Sequence, residues 1–106
     1  MGRAMEVLFT GDFFSAQEAL QLGLVNRVVP HGELMAETEA LARKILGNAP
    51  LAVRAIKEAA IRGLGLRLEQ RVRLARQTAD RVKQSEDTQE GLAAFREKRA
   101  PVWKGR

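Results

Sequence analysis

One stretch of this chain has the character of a β-strand, and it has no partner. Gly23-Leu24-Val25-Asn26-Arg27-Val28-Val29-Pro30 sets aliphatic pairs around a polar pair and ends at a proline, the pattern of a short extended segment. It is the only plausible strand among the 106 residues. A lone strand leaves its backbone N–H and C=O groups without a ladder, and buried groups of that kind must be paired. Nearly all secondary structure must therefore be helical. The pairing of residues 23–29 is expected to come from elsewhere, one sign of an incomplete unit.

The helix signals are local and frequent. Met1 to Phe9 carries Ala4, Met5, Val7 and Leu8 and is compatible with the last turns of a helix, with Gly11 suited to a left-handed end. No cap precedes it, which suggests a chain cut from something longer. Ser15-Ala16-Gln17-Glu18 is a capping box, and the helix it opens stops at Gly23. From about Glu33 to Leu46, Leu34, Leu41, Ala42, Ile45 and Leu46 share one face. Pro50 suits the first turn of a helix running to about Arg62, with Val53, Ile56, Ala59 and Ala60 inward. Leu66 to Gln84 is the longest helix. Its Leu68, Val72, Ala75, Ala79 and Val82 form a seam for packing on another helix. The last helix has Asp87 and Glu90 at capping-box spacing, an apolar face of Leu92, Phe95 and Val102, cations Lys98 and Arg99 in its final turn, and a stop at Pro101. The coarse picture is a mainly all-α chain of five helices with one short extended segment.

The chain has no cysteine, so disulfides and thiolate metal sites are excluded. This is compatible with a reducing cytoplasm. A single histidine, His31, rules out a histidine-based metal cluster. No apolar run approaches a membrane span and no signal-peptide pattern opens the chain. The net charge of +5 raises the question of an anionic partner. Acidic residues are interleaved with the basic ones, and aromatics make up only 5%, so base stacking is poorly served. A solvated helical surface is the better reading, with no nucleic acid and no membrane as partner.

Catalysis requires groups that converge with suitable pKa values. His31 sits in a Pro-His-Gly turn and reads as exposed and idle. Ser15 reads as an N-cap, with no histidine near it in sequence to activate it. Glu33, Glu37 and Glu39 read as the polar face of a helix. Gly63-Leu64-Gly65 lacks the strand-to-helix context of a phosphate loop. On these residues alone the chain contains no self-contained active site.

Four motifs resemble, in order and approximate spacing, the C-terminal third of the enoyl-CoA hydratase/isomerase (crotonase) family. They are Leu8-Phe9-Thr10-Gly11-Asp12, Ser15-Ala16-Gln17-Glu18-Ala19, Gly23 to Pro30, and Glu90-Gly91-Leu92-Ala93-Ala94-Phe95-Arg96-Glu97-Lys98-Arg99-Ala100-Pro101. The resemblance implies the helical C-terminal region of a crotonase-type fold, without the N-terminal spiral of ββα units. Residues 1–30 would be a remnant linked to that spiral and residues 31–106 a helical oligomerisation and lid domain.

The resemblance also implies an acyl-CoA enzyme, with 2-enoyl-CoA hydration in fatty-acid metabolism as the expected activity of the intact protein. Phe95 would line the acyl-CoA pocket and Lys98 would reach the phosphate-bearing part of coenzyme A. The family's oxyanion hole and acid/base groups fall before this stretch, so no catalytic residue is assigned and the chain alone is expected to be inactive. No cofactor is expected, coenzyme A being part of the substrate. A homo-oligomer and a cytoplasmic location are expected. The competing reading is a free-standing helical self-association module without catalysis.

Overall fold

A computed structural model describes residues 2–106. Among these described residues six α-helices form: α1 (Gly2–Thr10), α2 (Ala16–Gln21), α3 (Leu34–Leu46), α4 (Pro50–Gly63), α5 (Leu68–Lys83) and α6 (Glu86–Glu97). A short 3-10 turn, His31–Glu33, precedes α3. With α1 the number is six where five were expected. No strand occurs among the described residues, and the stretch after Gly23 runs to Pro30 without a ladder. The chain divides into two units, one ending at Glu39 and the other beginning at Ala40.

In the first unit the local signals act as read. Gly11 ends α1 at φ +65°, its N–H donating to the Val7 carbonyl at 3.2 Å. Ser15 and Glu18 form the capping box: Ser15 N–H donates to Glu18 Oε2 at 2.7 Å, and Glu18 N–H donates to Ser15 Oγ at 3.2 Å. The Ser15 N–H, and then its hydroxyl, hold the Glu18 carboxyl below its ordinary value. Gly23, at φ +75°, ends α2 while Leu24 N–H reaches back to the Ala19 carbonyl at 2.9 Å. An ion pair between Arg27 and Glu37 joins the extended segment to the first turn of α3.

In the second unit α4 packs on α5. Small residues permit the approach: Ala52, Ala55 and Ala59 on α4 face Ala75 and Ala79 on α5 across an open, almost wholly apolar groove of about 400 Å3. Glu58 of α4 is the ionic counterpart, meeting Arg81 of α5 at 2.7 Å and Arg62 of its own helix at 2.6 Å. These two hydrogen bonds, Arg81's foremost, hold the Glu58 carboxyl below its ordinary value. Thr78 is buried beside them, its hydroxyl satisfied by the Leu74 and Ala75 carbonyls.

Of the seam expected along α5, Leu68, Val72, Ala75 and Ala79 are exposed and only Val82 is half-buried; the buried residue of this helix is Thr78. Leu68 is 77% exposed, and on α4 Ile56 is exposed as well. Among the described residues the buried apolar side chains are Ala19 and Ala94 alone, and three polar residues, Thr78, Ser85 and Asp87, are buried too.

Candidate functional site

The site residues nominated from the sequence lie at the end of α6, and the position of α6 is set from its beginning. Ser85 is the N-cap, with extended backbone (φ −78°, ψ 153°) and a hydroxyl that accepts the Thr88 N–H at 3.2 Å. The same hydroxyl donates to the Val82 carbonyl at 2.7 Å, as does that of Thr88, which welds the α5–α6 turn. This corrects the capping box assigned to Asp87 and Glu90. Ser85 takes the cap two residues earlier, so Asp87 falls inside the first turn and its carboxylate is free for another task.

That task is to hold the C-terminal segment. Asp87, 1% exposed, accepts the Lys104 N–H at 2.7 Å on Oδ1 and the Gly105 N–H at 2.9 Å on Oδ2. Its own N–H donates to the Arg106 carbonyl at 3.2 Å. Glu90, one turn on, forms a forked pair with Arg99 (2.6 and 2.9 Å) and accepts the Val102 N–H at 2.8 Å. The Arg99 hydrogen bonds, then that of Val102, hold the Glu90 carboxyl down to about 2. Glu90, and then Glu97, raise Arg99 in return. Glu86 is lowered by its hydrogen bond to Lys104 and by the charge of Arg106.

Trp103 completes the fastening. Its indole N–H donates to the Gly47 carbonyl at 2.9 Å, and its ring lies over Gly91, where an added Cβ would stand 3.3 Å from Cη2. A glycine inside a helix costs about 1 kcal/mol relative to alanine. Here it makes room for the ring.

The helix then reverses. Lys98 adopts the left-handed conformation (φ 53°, ψ 37°). Its N–H donates to the Phe95 carbonyl at 3.3 Å and the next N–H, of Arg99, to the Ala94 carbonyl at 3.0 Å. This is a Schellman ending with lysine where glycine is usual. Phe95 and Lys98 both lie at the C-terminal end of α6 and both are exposed, Phe95 at 85%. Leu92 and Val102, expected to form an apolar face with Phe95, are exposed as well.

Sequence reasoning missed the tail-holding roles of Asp87, Glu90, Gly91 and Trp103. Two signals pointed there: the only tryptophan of the chain lies just past the helix stop, and a glycine interrupts the helix. His31 lies in the exposed 3-10 turn, Ser15 is occupied as a cap, and no group of three His, Cys, Asp or Glu side chains among the described residues could hold a metal ion.

The model of the family described as enoyl-CoA hydratase/isomerase matches residues 1–106. Carnitinyl-CoA dehydratases of Salmonella typhi and Proteus mirabilis are 45% and 47% identical over 105 residues, covering 95% of this chain and 40% of each relative. The crystal structure of enoyl-CoA hydratase from Bacillus anthracis superposes with a TM-score of 0.97 at 42% identity, over 100% of this chain and 41% of that one. The chain therefore spans about 40% of the length of the curated relatives it matches. With all four motifs inside the matched region and the helical architecture reproduced throughout, the chain belongs to the enoyl-CoA hydratase/isomerase (crotonase) family.

Proposed function

We propose that this chain is the helical C-terminal part of an acyl-CoA enzyme that hydrates 2-enoyl-CoA thioesters in fatty-acid metabolism, in the cytoplasm, and that the end of α6 covers the coenzyme A site. In this reading residues 1–30 join the catalytic core and residues 31–106 form the lid and oligomerisation domain of a homo-oligomer. Phe95 supplies an apolar wall. Lys98 supplies a compact cation for a phosphate. No cofactor is required, because coenzyme A arrives as part of the substrate. Hydration needs preorganised donors for the thioester oxyanion and groups for proton transfer. In the intact protein these come from outside the 106 residues, so the chain alone is inactive.

The observation that carries this reading is Phe95, 85% exposed on a helix fixed at both ends. Leaving a large aromatic side chain in water forgoes roughly 2 kcal/mol of burial, and that surface is available to a ligand. The test is a titration of the isotope-labelled chain with coenzyme A, followed by amide shifts. Shifts centred on Phe95 and Lys98 support the proposal, while shifts elsewhere or none would sink it. A parallel assay follows the enoyl-thioester chromophore, and turnover well above background by the chain alone would overturn the claim of inactivity. The exposed apolar side chains of α5, Leu68 and Val72, favour a second reading, a helical self-association module without catalysis.

A further inference from the structure

We propose that Glu90 is a positioning residue for Lys98, holding the helix reversal in the form that presents the lysine to a phosphate. The inference rests on the coenzyme A reading of Phe95 and Lys98.

The left-handed conformation of Lys98 costs an L-residue roughly 1–2 kcal/mol and persists only where its surroundings impose it. The Schellman bonds to Ala94 and Phe95 impose it from the helix side. Glu90 imposes it from the other. Its carboxylate takes the guanidinium of Arg99, the residue after Lys98, in a forked pair, and on Oε1 also takes the Val102 N–H. The chain leaving Lys98 is therefore tied at two points to the second turn of α6. Arg99 Nε donates to Glu97 Oε2 at 2.6 Å as well, so one guanidinium engages both carboxylates nearest the reversal. Among the described residues no ion pair is formed by the Lys98 ammonium. Glu90 thus does two things through Arg99: it fixes the backbone of the reversal, and it keeps Arg99 placed to occupy Glu97, leaving the lysine free for an external anion.

The test is a double-mutant cycle on the 106-residue chain, with coenzyme A as ligand and Kd as readout. Lys98→Ala is expected to weaken binding about tenfold, the effect of one charge-assisted phosphate contact. Glu90→Ala is expected to weaken it by a similar factor, and the double variant by no more than about twofold beyond Lys98→Ala alone. Glu90→Gln keeps an acceptor for the Val102 N–H and is expected to fall between wild type and Glu90→Ala. Helix content by circular dichroism accompanies each measurement, and Glu90→Gln carries the cycle should Glu90→Ala lose its helices. A Glu90 variant that binds like wild type, or whose loss adds fully to that of Lys98→Ala, overturns the positioning role while leaving the coenzyme A reading intact. A Lys98→Ala variant that binds like wild type, or a wild-type chain that does not bind, overturns the coenzyme A reading and the inference with it.

Discussion

Lys98 occupies the kind of position that Gly23 occupies at the end of α2, with a similar reversal and a similar pair of backbone bonds. Glycine adopts it freely; lysine does so at a cost of roughly 1–2 kcal/mol. Lys98→Gly relieves that cost but adds glycine's extra freedom in the unfolded chain, about 0.5–1 kcal/mol. A net stabilisation of about 0.5 kcal/mol is expected, read as a higher urea midpoint, together with loss of coenzyme A affinity. A less stable variant would show that the lysine side chain itself supports the fold. Asp87 is the opposite case, a residue the fold depends on. Its carboxylate is buried and receives two backbone N–H groups. Asp87→Ala leaves both amides unpaired and is expected to cost about 2–3 kcal/mol. Asp87→Asn keeps one acceptor oxygen and should cost less. Equal costs for the two would show that the full carboxylate with both acceptor oxygens is needed, since Asn keeps the volume and one acceptor.

At the scale of the element, α6 and its tail form one unit whose fastening is mostly electrostatic. Glu90 has an ordinary value of 4.5 and is held at about 2 in the fold, so the folded state favours its charged form. That contribution is fully present above about pH 4.5 and is lost as the pH falls toward 2. Glu86, lowered by Lys104 and Arg106, acts in the same direction. Trp103 is the only tryptophan, so its fluorescence reports the tail directly. The expected outcome is an acid transition in Trp103 emission below pH 4.5 that Glu90→Gln abolishes or flattens. Gly91→Ala sets helix propensity against packing: alanine favours α6 by about 1 kcal/mol, while its Cβ presses on the Trp103 ring. Helix content should hold as the indole loses its bond to Gly47, visible as a red-shifted emission. An unshifted spectrum would mean that the ring yields without leaving. What could be read in advance follows the same division. Gly11, Ser15 with Glu18, Gly23 and Pro50 act within one turn, and each signal held. Asp87 and Glu90 have capping spacing, but their partners lie many residues away in the tail, and Trp103 meets Gly47 some 56 residues distant. No local pattern encodes such pairings. Phe95 and Lys98 are nominated by family resemblance, and nothing in the helical period announces a left-handed lysine.

For the whole molecule, the surface sets the expectation. Large apolar side chains stand exposed in each unit, Leu8, Phe9 and Phe13 in one and Leu68, Val72 and Ile56 in the other. Patches of this kind recruit partners. In purified form the partner at hand is another copy, so self-association is expected, rising with concentration in light scattering. Salt tells the driving force apart from a charge-led alternative. The net charge of +5 makes copies repel. Added salt screens that repulsion and strengthens an apolar association, whereas binding to a nucleic acid weakens steeply with salt. Leu68→Glu combined with Val72→Lys interrupts the exposed apolar side of α5 and should shift the association midpoint to higher concentration, with α4 and α5 still helical. A monodisperse monomer at high concentration and high salt would show that these faces are satisfied by water alone.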